Sequence, residues 1–200
     1  MYAYIKGNLE EKMNNYIIVE ANNIGYKIFM SRNSILQIGE IGDFVKIYTH
    51  YHVREDDISL YGFQSNEELK MFELLISVSG VGAKSAIAML SNIEPSDFAV
   101  SIINNDITKL TKVPGIGKKS AQRIVLELKD KLKAEQELIK SETDETNNSI
   151  ETNNDIDEAI SALQILGYNR KEIEKTFEKI DYKSMSVEEI IRNCLKQLSR

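Results

Sequence analysis

Hydrophobic and polar positions divide the chain into segments of different texture. Over the first sixty-odd residues, short runs rich in Tyr and β-branched side chains, "YAYIKG", "YIIVE", "GYKIFM", "FVKIYTHYHV" and "ISLYGF", are separated by Asn22, Asn23, Gly25, Gly39 and Gly42. These are strand signals. In "VKIYTHYHV", Val45, Ile47, Thr49, Tyr51 and Val53 fall on one face and Lys46, Tyr48, His50 and His52 on the other, a period of two, and the histidines fit a surface pattern. The pattern predicts a compact all-β domain over residues 1–63 and does not separate a barrel from a sandwich.

After Phe63 the period changes. Ser65 and Glu68 stand at capping-box spacing, and Leu69, Phe72, Leu75 and Ile76 recur at helical intervals. Helical patterning continues to Lys133, broken at two glycine pairs and at Pro95 and Pro114, which predicts about five short helices over residues 64–133. Residues 134–154, "AEQELIKSETDETNNSIETNN", contain few large hydrophobes beyond Leu138, Ile139 and Ile150. Such a stretch cannot bury enough surface to offset its conformational entropy, and it predicts a flexible acidic linker whose opening frays off the preceding helix. In residues 155–200, Ile156, Ala159, Ile160, Leu163 and Leu166 form one stripe ending at Gly167. A second helix is predicted from about Arg170, and a third from Ser186, with Glu189 completing a capping box. A three-helix core this small leans on a partner.

Composition narrows the class. No apolar run reaches the roughly 18 residues that span a bilayer, and "MYAYIKGNLEEK" lacks the layout of a secretory signal, so the reading is cytoplasmic with no membrane partner. The single cysteine, Cys194, excludes an internal disulfide and a multi-cysteine zinc site; among Ile190, Ile191, Leu195 and Leu198 it reads as a buried thiol. The net charge of −6 is unevenly spread. Residues 1–63 hold six Lys/Arg against eight Asp/Glu, residues 64–133 ten against eight, and residues 134–200 nine against fifteen. The middle segment is the basic one, most of all from Lys109 to Lys133.

In this basic segment the same phrase occurs twice: "VSGVGAKSAIAML" from Val78 and "VPGIGKKSAQRIV" from Val113. Neither copy is a P-loop, because Ala83 and Lys118 stand where that motif needs its last glycine. Neither is a dinucleotide fingerprint, since Ser85 and Ser120 replace the third glycine and helical sequence precedes both. No nucleotide or other cofactor is implied. The physical reading is a helix, a tight Gly-apolar-Gly hairpin pinned by Val81 or Ile116, and a second helix whose free N–H groups favour an anion. Gly80, Gly82, Lys84 and Ser85 form the first candidate phosphate clamp. Gly115, Gly117, Lys118, Lys119, Ser120 and Arg123 form the second. A single Gly-x-Gly turn is more often packing than function. Two copies in the basic segment suit a duplex backbone, bound by shape and not by base sequence.

The residues alone leave other classes open. A helix-hairpin-helix nuclease or glycosylase uses the same clamps to position DNA, and Asp130 or Lys129 would be its candidate catalytic group. A structural adaptor would bind only protein. The consecutive carboxylates Glu55, Asp56 and Asp57, in a turn between strand runs, read as metal ligands or as a solvated loop; the lack of further ligands at suitable spacing disfavours metal.

The doubled phrase resembles the tandem helix-hairpin-helix motifs of the RuvA family, Holliday-junction-binding subunits of the bacterial RuvAB branch-migration complex. "MYAYIKGNL", "VREDDISLYGF", "SGVGAKSAIAML", "VPGIGKKSAQRIVLELKDKL" and "ALQILGY" occur in that family's order, covering the chain apart from the linker. The resemblance implies an N-terminal OB-fold barrel, a middle all-α domain with two helix-hairpin-helix motifs, a tether and a mobile C-terminal three-helix bundle. It implies a homotetramer, sometimes an octamer on DNA, that holds a four-way junction open in recombination and repair. Its partners would be the hexameric ATPase RuvB, which supplies ATP hydrolysis, and the resolvase RuvC; the chain itself would not be an enzyme. Glu55 and Asp56 would form an acidic pin at the tetramer centre. Leu163, Leu166 and Tyr168 would touch the motor, although the leucines fit a buried helix face equally well.

Overall fold

The computed structural model describes residues 2–142, 154–180, 182 and 185–198. Strands β1 (Tyr4–Lys12), β2 (Tyr16–Ala21), β3 (Ile24–Phe29), β4 (Phe44–Val53) and β5 (Ile58–Phe63) close into a barrel in the order β1-β2-β3-β5-β4. Closure decides for the barrel over the sandwich. The strands coincide with the five Tyr-rich runs, and alternation buries Ile5, Leu9, Ile17, Val19, Ile28 and Ile47 in one core. The β2–β3 hairpin turns on Asn22 and Asn23, both at positive φ (53° and 63°), the geometry a two-residue hairpin requires. A Cβ at Gly7 would overlap the Glu20 carbonyl, so β1 and β2 meet there only through glycine.

Helix α1 (Arg32–Gln37) departs from the all-β expectation. It is too short for a period of 3.6 to show, and its cue is the Ser31 N-cap, which accepts from the Ser34 N–H at 3.1 Å. Ile35 and Ile38 join the barrel core.

Five helices follow: α2 (Asn66–Ile76), α3 (Ala83–Leu90), α4 (Pro95–Ile103), α5 (Ile107–Thr111) and α6 (Lys118–Glu142). At the start of α2 the Ser65 hydroxyl accepts from the Glu68 N–H at 3.2 Å, half of the expected capping box. The Glu68 carboxylate turns elsewhere, accepting from Gln64 N–H at 3.0 Å and from the Ser34 hydroxyl at 2.7 Å, so it ties α2 to α1. Burial pushes the Glu68 carboxyl above its ordinary range against those two hydrogen bonds, with Glu94 and Glu67 adding to the rise. His50 is not the surface residue its spacing suggests. Its ring lies 5.3 Å from that of Phe72 and its Nδ1 is 3.1 Å from Glu73, because α2 covers that end of the outer strand face.

Helices α7 (Asn154–Ile165), α8 (Arg170–Phe177) and α9 (Val187–Leu198) form the C-terminal unit. The Ser186–Glu189 box is present in both directions, at 2.9 and 3.3 Å, and Asn169 with Glu172 forms another that the sequence reading passed over. Cys194 is fully buried, and burial pushes its thiol up to about 12. α7 packs on α4 and α6, and α9 on α4, so the hydrophobic core runs from the middle helices into the C-terminal unit without a break. The support that the small bundle leans on is therefore its own chain. α6 extends past residue 133 to Glu142, and the remainder of the expected linker, 143–153, lies outside the described residues. Among the described residues no single helix is long and apolar enough to cross a membrane.

Candidate nucleic-acid interface

The two glycine phrases fold into near-identical hairpins. In the first, Val81 N–H donates to Val78 C=O at 3.0 Å, Gly80 takes φ +83°, and Ala86 N–H closes the first turn of α3 onto Gly82 C=O at 3.0 Å. In the second, Ile116 N–H donates to Val113 C=O at 3.1 Å, Gly115 takes φ +85°, and Ala121 N–H reaches Gly117 C=O at 2.9 Å. Val78, Val81, Val113 and Ile116 are all buried, so the apolar residue between each pair of glycines anchors its hairpin in the core. The glycines themselves face outward.

Their roles differ within each pair. Gly80 and Gly115 need the left-handed backbone that glycine adopts freely. Gly82 and Gly117 do not, and a Cβ on either would meet no neighbouring atom. The bare surface there leaves room for a ligand to approach the backbone. Neither following helix carries an acidic residue in its first turn, and Gly82 gives α3 no side-chain cap, so N–H groups stay free for an anion.

Lys84, Lys118 and Lys119 are exposed around these openings, and among the described residues none has a carboxylate within ion-pair distance. Ser85 and Ser120 sit half-buried beside them, also without a side-chain hydrogen bond among the described residues. Arg123 lies elsewhere than a free cation would. Its guanidinium donates to Ser79 C=O at 3.2 Å and stands 3.8 Å from Glu127, spanning from α6 to the first hairpin.

That span belongs to a set the sequence reading missed. Glu127 accepts from Ser79 N–H at 3.1 Å, and Lys131 donates to the Ser77 hydroxyl at 2.5 Å. Arg123, Glu127 and Lys131 recur every four residues on one face of α6, and this i, i+4, i+8 spacing was the available signal. The helix that starts at the second hairpin thus holds the first in place.

The acidic turn is also specific. Arg54 N–H donates to Asp57 C=O at 2.8 Å and closes the β4–β5 loop. Asp57 accepts from Ser59 Oγ at 2.6 Å, which makes it the carboxylate that shapes the turn. Asp56 lies 3.7 Å from Arg54 with both side chains largely exposed, and Glu55 projects without a partner among the described residues. No group of three or more His, Cys, Asp or Glu with metal-holding geometry exists among the described residues. Asp130 is an exposed residue of α6.

The motor-contact candidates are buried. Leu163 and Leu166 are completely covered, and Tyr168 is 7% exposed, its hydroxyl donating to Glu67 at 2.5 Å. Lys70 sits 3.6 Å from the Tyr168 ring centroid and donates to Gly167 C=O at 3.3 Å. In this arrangement the "LGY" turn faces α2.

A closed five-stranded barrel joined to paired helix-hairpin-helix motifs, with matched glycine openings and exposed lysines around them, defines an OB-type, tandem helix-hairpin-helix protein. Comparison with known proteins narrows the class. Residues 1–62 match the RuvA N-terminal domain, residues 72–130 the SAM-like helix-hairpin-helix tandem, and residues 154–199 the RuvA C-terminal domain. The Holliday junction branch migration complex subunit RuvA of Acetivibrio thermocellus is 52% identical over 201 residues, with 100% of both chains covered. Its counterpart in Ruminiclostridium cellulolyticum is 51% identical over 200 residues, covering 99% of this chain and 100% of the relative. That of Clostridium perfringens is 46% identical over 204 residues, again with both chains fully covered. The chain belongs to the RuvA family.

Proposed function

We propose that this chain is a non-catalytic DNA-binding subunit that grips four-way junctions by their phosphate backbones. The pair of hairpins with matching hydrogen bonds and glycine conformations in one helical unit carries the reading. A duplex presents phosphates at regular intervals, and two openings with free N–H groups and lysines fit that repeat better than a small ligand. Gly80, Gly82, Lys84 and Ser85 serve one clamp, and Gly115, Gly117, Lys118, Lys119 and Ser120 the other. Arg123 acts by joining the two.

Relatives named as branch migration complex subunits support the junction as the ligand. On this reading four copies surround the crossover and each grips one arm. Glu55 and Asp56 then project toward the strands being exchanged and repel their phosphates, while Asp57 keeps the turn in shape. The C-terminal unit recruits RuvB, which hydrolyses ATP; RuvC joins for resolution. A contact through Leu163, Leu166 or Tyr168 requires that unit to leave its place on α2 or to repack.

Incubating the intact protein with a synthetic four-way junction separates the readings. Tight binding without processing, in a complex whose mass corresponds to four chains, is the expected outcome. Cleavage would identify a nuclease, and no complex would identify a protein adaptor.

A further inference from the structure

The barrel carries an outward face that the hairpins and the acidic turn leave unused. Strand register sets Tyr4 opposite Tyr48, Lys6 opposite Lys46 and Asn8 opposite Phe44 across β1 and β4. These positions alternate with the buried ones, so all six side chains point outward from the barrel, Tyr48 half-buried against the hydrophobic core and the other five exposed. Phe44 is 72% exposed and Tyr4 52%. An aromatic row beside a lysine row on open sheet is an unusual surface, since large apolar side chains on soluble proteins are normally scattered.

The lysines are placed against charge logic. Like charges directly opposite on neighbouring strands destabilise a sheet. Among the described residues neither Lys6 nor Lys46 has a carboxylate within ion-pair distance. They lie instead against the rings. Lys46 Nζ is 4.2 Å from the Tyr48 centroid and 5.0 Å from that of Tyr4, and donates to the Tyr48 hydroxyl at 3.0 Å; Lys6 Nζ is 5.6 Å from the Tyr4 centroid. Such contacts hold a cation near an aromatic face without neutralising it. The face therefore offers two adjacent positive charges and partly open rings.

The geometry points to a second nucleic-acid contact here: the outer face of β1 and β4 binds single-stranded DNA, with Lys6 and Lys46 on phosphates and Tyr4 and Tyr48 against unpaired bases. Duplex DNA hides its base faces, so only a single strand uses both the charges and the rings. An acidic polypeptide would meet the lysines and leave the rings idle. β4 runs directly from this face into the Arg54–Asp57 turn, so a strand parted there is on the order of 20 Å away along the same sheet. The charges and rings stand on the barrel alone, and only the source of the single strand rests on the junction reading.

The test uses the intact protein with fluorescent oligo(dT) and, separately, a linear duplex. Stacking is worth about 1–3 kcal/mol per base, so losing both rings in Tyr4→Leu with Tyr48→Leu is expected to weaken oligo(dT) binding by about thirtyfold or more while duplex affinity stays within about twofold. Lys6→Gln with Lys46→Gln should weaken oligo(dT) binding and flatten its salt dependence. An oligonucleotide carrying 5-iodouracil should crosslink the unmodified protein at Tyr4 or Tyr48. Oligo(dT) affinity unchanged in both double variants would overturn the assignment. So would equal losses for oligo(dT) and duplex, an effect of the lysines without the tyrosines, or crosslinks confined to the hairpins.

Discussion

At each hairpin the two glycines do separate jobs, which makes them separable by experiment. Gly115 sits at φ +85° with open space around its missing Cβ, so alanine there meets no clash and strains only the backbone, at about 1–2 kcal/mol. Gly117 carries no such conformation and also faces open space. Gly117→Ala, and Gly82→Ala by the same argument, should change stability by less than about 1 kcal/mol in chemical denaturation yet weaken duplex binding, because the methyl would stand where the proposed phosphate contact lies. Unchanged DNA affinity in both would remove the backbone from the interface. Lys119→Glu should weaken duplex and junction alike and lower the slope of log affinity against log salt by about one or more, since a phosphate contact is lost. An unaltered slope would place Lys119 outside the contact.

At the scale of elements, α6 both starts at the second hairpin and braces the first. Glu127→Ala removes the acceptor of the Ser79 N–H and the partner of Arg123. The expected result is faster amide exchange at Ser79 and Val81 with little change at Ile116, measured by hydrogen–deuterium exchange. Comparable exchange at both hairpins would show that the brace is not needed. Strands and helices were legible because burial repeats at two or 3.6 residues along them, and the five Tyr-rich runs became five strands. Periodicity reports which side of an element is covered but not by what. Hence His50 read as surface although α2 covers it, and Leu163 and Leu166 fitted a core and a partner contact equally well. α1 was missed because so short a helix offers no period. The hairpins were read from their glycines, whereas the spacing of Arg123, Glu127 and Lys131 marks a shared helix face but not its partners Ser79 and Ser77, which lie dozens of residues away.

At the scale of the whole molecule, the C-terminal unit is docked through a polar contact set in an apolar seam. Tyr168→Phe deletes the donor to Glu67, and removing such a buried bond costs about 1–3 kcal/mol. Cys194 reports the opening, because at pH 8 its buried thiol stays protonated and shielded. Thiol labelling should therefore be slow in the parent and faster in Tyr168→Phe; equal rates would mean that the seam does not depend on this bond. The raised thiol also predicts a pH effect. Its contribution to stability is present below the ordinary value of 9.0 and is lost as pH climbs from there toward about 12, so Cys194→Val should flatten the fall in thermal stability over that alkaline window.

The central claim is that an acidic chain binds DNA through two local phosphate clamps, and that assembly turns this grip into preference for a junction. Affinity of the intact protein for a four-way junction and for linear duplex of the same sequence, each followed across a salt titration, tests it most directly. The account predicts tighter binding to the junction, steep weakening with salt for both ligands, and a shallower slope for both when Lys84 and Lys119 are replaced by Glu. Equal affinity for junction and duplex, or binding indifferent to salt, would contradict it.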